Sequence, residues 1–228
     1  MKVRVENAST LNEDTGVNRS ASPEDLTQIR LALEQTTRIR FYRNLFLVSW
    51  SLILAKCLFL EWLTQRYALP VDTFLFIWIP SFLFAGLCTA LLVANRKEAL
   101  LHAPLTSRLV QAIWLGVIGA IAIIGIAGVG LHQIPPFLLP GLCAVLMGIG
   151  YLVHSVLDHR FILRAAAAGW WMGSLWLFYR PGPDSLLHLT LLLLFFQVGP
   201  TSGMLYQEWK MMQKIRHLER KSTARASV

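Results

Sequence analysis

Acidic residues are almost absent from the long apolar runs of this 228-residue chain. That scarcity argues against ion- or proton-coupled chemistry inside a bilayer, because intramembrane ionisable groups usually carry such functions. Cysteine is also scarce. Cys57, Cys88 and Cys143 fall in three different apolar runs, without a Cys-x-x-Cys pair, a haem-attachment motif or zinc spacing, so they read as small buried hydrophobes. There is no Gly-x-Ser-x-Gly, His-Glu-x-x-His, Walker loop or dinucleotide fingerprint, and no cofactor is expected. Period-two alternation is missing from the apolar runs, which excludes the strands of a membrane barrel. No short apolar leader with a small-residue cleavage site opens the chain, so the first apolar run is expected to act as an uncleaved insertion signal.

What the sequence does have is six apolar runs, at 45–62, 71–94, 109–131, 137–157, 161–179 and 186–205. A hydrocarbon core of about 30 Å needs roughly 20 residues at about 1.5 Å rise each. Helices are the default because no water in the core satisfies exposed backbone N–H and C=O groups. Hydrophobic residues make up 55% of the chain and charged ones 15%, with a mean hydropathy of +0.51. An ordinary soluble domain is far more charged. The expected fold is therefore all-α, a polytopic six-helix transmembrane bundle over 45–205.

Orientation follows from the basic residues, which resist translocation. Of the 21 Lys and Arg, eighteen lie before the first run, after the sixth, in the connection after the second, or around the turn after the fourth, where Arg164 stands one turn into the fifth run. Only Arg66 and Arg180 fall on the other side, and Lys56 lies inside the first run. Both termini are thus expected in the cytoplasm, in a bacterial inner membrane. The net charge of +8 sits mostly beside the bilayer, where each cation meets anionic head groups at about 1 kcal/mol. The lipid bilayer is the expected partner of that charge, and direct nucleic-acid binding is not expected.

The flanks differ in composition. Residues 1–21, rich in Asn, Ser, Thr, Glu and Gly, read as a disordered tail. Ser22-Pro23-Glu24-Asp25 reads as a helix start, with a Ser cap, Pro at the first helical position and acids against the positive helix end. Leu26, Ile29 and Leu33 then give an amphipathic cytoplasmic helix over 22–44 that runs into the membrane. Over 206–228, Trp209, Met211, Met212, Ile215 and Leu218 stripe a basic helix that continues out of the sixth run. It can lie on the membrane surface, pair with the N-terminal helix, or dock a soluble partner.

Inside the runs, small residues form the strongest pattern. Ala165, Gly169 and Gly173, and Gly199 and Gly203, recur at the four-residue spacing that lets helices approach closely in lipid. They are candidate packing positions, within the chain or in a homodimer. Gly116, Gly119, Ala122, Gly125 and Gly128 recur every third residue and sweep around the third run, which predicts a helix packed on several sides near the bundle centre. Pro80 and Pro200 each remove a backbone hydrogen bond and predict irregular helix. Such breaks sometimes form midplane sites in transporters. No internal repeat relates the two halves of the chain, which speaks against a symmetric transporter.

Two polar positions stand out. Lys56 lies roughly 16 Å along the helix from Leu45 and roughly 9 Å from Trp62, so its cation either snorkels outward or pairs inside, with Glu61 as the nearest acid. His154 and Asp158 are four apart at the end of the fourth run, placing imidazole and carboxylate on one helix face. Such a pair can form a polar helix end, shuttle a proton or contribute to a metal site.

Several short motifs carry a resemblance: Ile29-Arg30-Leu31-Ala32-Leu33-Glu34-Gln35-Thr36-Thr37-Arg38 before the first run, Thr106-Ser107-Arg108-Leu109 at the third, Gly148-Ile149-Gly150-Tyr151, and Arg180-Pro181-Gly182. The chain resembles a family of uncharacterised bacterial six-span membrane proteins, whose Ser-Thr-Arg-Phe signature reads Thr36-Thr37-Arg38-Ile39 here. That family has no established activity. Its genes tend to neighbour winged-helix transcription regulators, so the resemblance implies a sensory or regulatory role with a cytoplasmic regulatory protein as partner. The leading expectation is a non-catalytic sensor or regulatory partner module. A small transporter or channel using Pro80, Pro200 and Lys56 is the alternative, and a lipid-modifying enzyme using His154 and Asp158 a weaker one.

Overall fold

The computed structural model describes residues 23–94 and 105–226. The expected tail over 1–21, the Ser22 cap and the loop cations Arg96 and Lys97 lie outside the described residues. Six helices are long and apolar enough to cross a membrane, and the described residues form an all-α six-helix bundle, the fold of a multi-pass membrane protein. Helix α1 (Pro23–Arg66) contains the first span. A π-helical segment (Phe74–Trp78) leads into α2 (Ile79–Ala94), and α3 (Leu105–Gly125) ends in a second π segment (Ile126–Gly130). A short 3₁₀ turn precedes α4 (Leu139–Asp158), followed by α5 (Phe161–Tyr179). The sixth span is α6 (Ser185–Leu193), a third π segment (Leu194–Val198) and α7 (Gly199–Ala226).

The N-terminal helix and the first span form one uninterrupted 44-residue helix, as the run from a Pro at its first turn into an apolar stretch predicts. The sixth span likewise continues without a break to Ala226. In space the main neighbours run second, first, sixth, fifth, fourth, third. The fifth and fourth spans and the first and sixth form the core, and the second and third flank it.

Both membrane prolines lie two residues beyond a π segment. Ile79 N–H reaches back to the Phe74 carbonyl, and Gly199 N–H to the Leu194 carbonyl, five residues in each case. Proline lacks the N–H that would close the next α-type bond and its ring crowds the carbonyl four residues back. The wider turn absorbs that misfit, and this is the form the expected irregularity at Pro80 and Pro200 takes.

Close helix contact in the core is made through small residues. A methyl group at Gly169 would strike the Phe196 ring, at Gly173 the Leu192 side chain, at Gly148 the Trp171 indole and at Gly141 the Phe178 ring. Ser174 donates to the Gly141 carbonyl at 3.0 Å, and Trp170, one turn before Ser174, is fully buried.

The third span corrects the expectation of a central helix. Gly116, Gly119 and Gly125 face open space, and only Gly128 meets a neighbour, Leu139. Every-third spacing rotates around the helix and gives no continuous stripe. The face that packs on α4 is set instead by Val110, Trp114 and Val117 at alternating four- and three-residue steps. Lipid is as apolar as the protein interior, so outward glycines cost nothing in burial.

Candidate functional site

The richest chemistry lies where α1, α4 and α7 meet, at the end of the bundle from which both long helices project. Arg43 and Asn44 come from α1, His154 and Asp158 from the last turns of α4, and Glu208 from α7. Arg160 sits just beyond α4, where His159 adopts a left-handed backbone (φ 51°) that ends the helix and turns the chain into α5.

Arg43 Nη2 donates to Asp158 Oδ2 at 2.7 Å, and the same oxygen lies 3.2 Å from His154 Nε2. Asn44 Nδ2 donates to Glu208 Oε2 at 2.8 Å, while Arg160 Nη2 reaches Glu208 Oε1 at 3.4 Å. The side chains of Arg43, His154, Asp158 and Glu208 are between 1% and 8% exposed. These are therefore desolvated groups rather than interfacial ones. Two guanidinium groups balance two carboxylates, which is the condition for burying charge.

The neighbours of the imidazole fix its tautomer. Trp114 Nε1 lies 3.4 Å from His154 Nδ1. Indole N–H only donates, so Nδ1 accepts and the proton sits on Nε2, from which it is donated to Asp158. Four-residue spacing on a helix brings His154 and Asp158 together as expected, and both ring nitrogens are occupied. Among the described residues no group of three His, Cys, Asp or Glu side chains gathers as a metal site.

The Asn44–Glu208 bond also sets an antiparallel register between the first and last helices. Seven residues to either side, it places Thr37 opposite Ile215 and Ser51 opposite Thr201, and all four are buried. Tyr151 and Thr201 hydroxyls approach to 3.5 Å in the same seam. The inner part of the C-terminal helix thus pairs with α1. Of the expected stripe Ile215 is buried on this face, beside the unexpected Glu208, whereas Trp209 and Met211 are exposed.

Lys56 does not pair with Glu61. It is exposed on the outer face of α1 and donates from Nζ to Ser81 Oγ of α2 at 2.9 Å. Glu61 instead accepts from Trp78 Nε1 at 3.2 Å and Gln65 Nε2 at 2.9 Å. Lys56 and Pro80 share one recess, whereas Pro200, in the sixth span, does not line it. Of the candidate packing residues, Gly169 and Gly173 are in close contact, Ala165 is exposed, and Gly203 has no neighbour within 4 Å. Gly199 is exposed and meets only its own helix, at the Leu194 carbonyl. Cys57 is buried as expected, but Cys88 is exposed on α2.

Arg43, Asn44, Arg160, Glu208 and Trp114 are the site residues that sequence reasoning passed over. Glu208 carried a signal, as an acid one turn beyond an apolar run in a basic segment. No family model, curated protein or solved structure matches the chain.

Proposed function

We propose that this protein is a non-catalytic sensor or regulatory module of a bacterial inner membrane, with both termini in the cytoplasm. In this reading the paired terminal helices present the state of the bundle to a soluble cytoplasmic partner. The observation that carries it is the buried network joining Arg43 and Asn44 to Asp158, Arg160 and Glu208. Both helices that leave the bundle are continuous with spans, so a shift of α4 against α1 and α7 moves the projecting pair as rigid levers. The excess of Lys and Arg at that end supports the cytoplasmic assignment. A regulatory reading is favoured over a lipid-modifying enzyme because both nitrogens of His154 are engaged by Trp114 and Asp158, leaving neither for a substrate.

A second reading, a small transporter or channel, draws support from the paired π segments before Pro80 and Pro200. Crosslinking in intact cells with mass spectrometry of the captured proteins tests the first reading, with a version lacking residues 206–228 beside the full chain. Capture of a cytoplasmic regulator that is lost on deletion is the expected result. A captured set unchanged by the deletion removes the reading, and solute flux in proteoliposomes that falls with Pro200→Ala would put transport in its place.

A further inference from the structure

The second flank of the bundle carries a cation that the charged network does not use. Lys56 lies roughly 9 Å along α1 from Trp62, inside the apolar length of the first span, yet it is exposed on the outer face of the bundle. Among the described residues no carboxylate lies within ion-pair distance of it. Its ammonium has three donors, and one goes to Ser81 Oγ, itself buried and donating to the Ile77 carbonyl at 2.6 Å.

Beside this pair is a recess of about 170 Å³ lined by Ile53, Lys56, Phe76, Pro80, Ser81 and Phe84. The π segment and Pro80 shape its α2 wall, and Phe76 is the residue whose carbonyl a Pro80 N–H would otherwise have bonded. Polar groups at this depth carry a large desolvation cost unless paired. A cation on the lipid-facing side with apolar walls and no acid of its own is complementary to an acid delivered from the membrane. The recess is too small for a whole lipid, so it accommodates a head group while the rest stays in the bilayer. Phe76 and Phe84, both well exposed, flank the way out.

We propose that this recess binds the acidic head group of a membrane amphiphile, a carboxylate or phosphate, with its acyl chain lying in lipid along Phe76 and Phe84. Lys56 supplies the countercharge and Ser81 holds the ammonium in place. The site is on a different flank from the Arg43–Glu208 network and its occupancy does not depend on the partner-binding reading.

Photolabelling of the full-length protein in phosphatidylcholine nanodiscs tests this, with three diazirine probes of equal chain length: a fatty acid, a phosphatidic acid and a fatty alcohol. The fatty acid or the phosphatidic acid should label peptides containing residues 74–84, with about tenfold less labelling in Lys56→Met and near-normal labelling in Lys56→Arg. Which of the two acids labels identifies carboxylate or phosphate as the ligand. Removing a cation from a lipid-facing site does not threaten folding, and an unchanged melting temperature of Lys56→Met verifies this. Labelling by the alcohol equal to that by the acids, labelling unchanged in Lys56→Met, or no labelling of 74–84 by either acid would each overturn the proposal.

Discussion

Arg43 of α1 and Asp158 of α4, 115 residues apart in the chain, meet at 2.7 Å with both side chains almost wholly buried. In water such a pair is worth little, but in a dry site each charge depends on the other. Arg43→Met strands the Asp158 carboxylate and should cost about 3 to 5 kcal/mol. Replacing both groups, Arg43→Met with Asp158→Leu, should recover part of that loss because no uncompensated charge remains, the balance being the His154 Nε2–H that loses its acceptor. Unfolding in detergent, followed through tryptophan fluorescence, measures both. A double variant no better than the single would mean the pair is not electrostatically coupled.

Two glycines that each belong to a pair at four-residue spacing, but differ in surroundings, give an internal control. A Cβ at Gly169 meets the Phe196 ring on the π segment of the sixth span, whereas Gly203 has nothing within 4 Å. Gly169→Ala should therefore destabilise by about 1 to 3 kcal/mol through overpacking, and Gly203→Ala should stay within about 0.5 kcal/mol. Equal effects in a detergent melting series would show that the fifth and sixth spans are not in the contact described.

The contrast marks where sequence reading works and where it stops. Six spans are legible because hydropathy and length are local properties, and the His154–Asp158 pair is legible because helical geometry fixes what lies four residues away. Which small residues face a neighbour is not local. Gly169 and Gly173 share a spacing with Gly199 and Gly203, yet only the first two are covered. The charged network was hidden for the same reason. Arg43 counts as one more basic residue at the membrane edge until α4 brings Asp158 to it, and Asn44 has no meaning until Glu208 arrives from 164 residues away. Lys56 was visible as an anomaly, but its partner Ser81 belongs to another helix.

His159 holds the turn that presents Asp158 and Arg160 to the network, with φ at 51°. A β-branched side chain in that region is strained, at a cost of roughly 1 to 2 kcal/mol, while glycine adopts it freely. His159→Val should lower the melting temperature and His159→Gly should leave it near the parent value. If valine is tolerated as well as glycine, the turn does not have this backbone and the placement of Arg160 beside Glu208 loses its explanation.

Trp114 sets the state of His154 from outside the charged pairs. Its Nε1–H lies against Nδ1, so a second ring proton would place two donors face to face, and the imidazole is held as the Nε2–H tautomer facing Asp158. Trp114→Phe removes the donor, leaving Nδ1 a buried acceptor without a partner at a cost of about 1 to 3 kcal/mol, and adds a cavity cost where the smaller ring no longer fills the space beside Tyr151. Nitrogen-15 chemical shifts of the His154 ring distinguish the tautomers directly. The parent protein should show a protonated Nε2 and a bare Nδ1, and Trp114→Phe should shift the Nδ1 resonance as its hydrogen bond is lost. A protonated Nδ1 in the parent would reverse the assignment and return Nε2 to the pool of free acceptors, which is the condition the lipid-modifying reading needs. The tautomer of one histidine therefore discriminates between a structural clamp and a chemically available base.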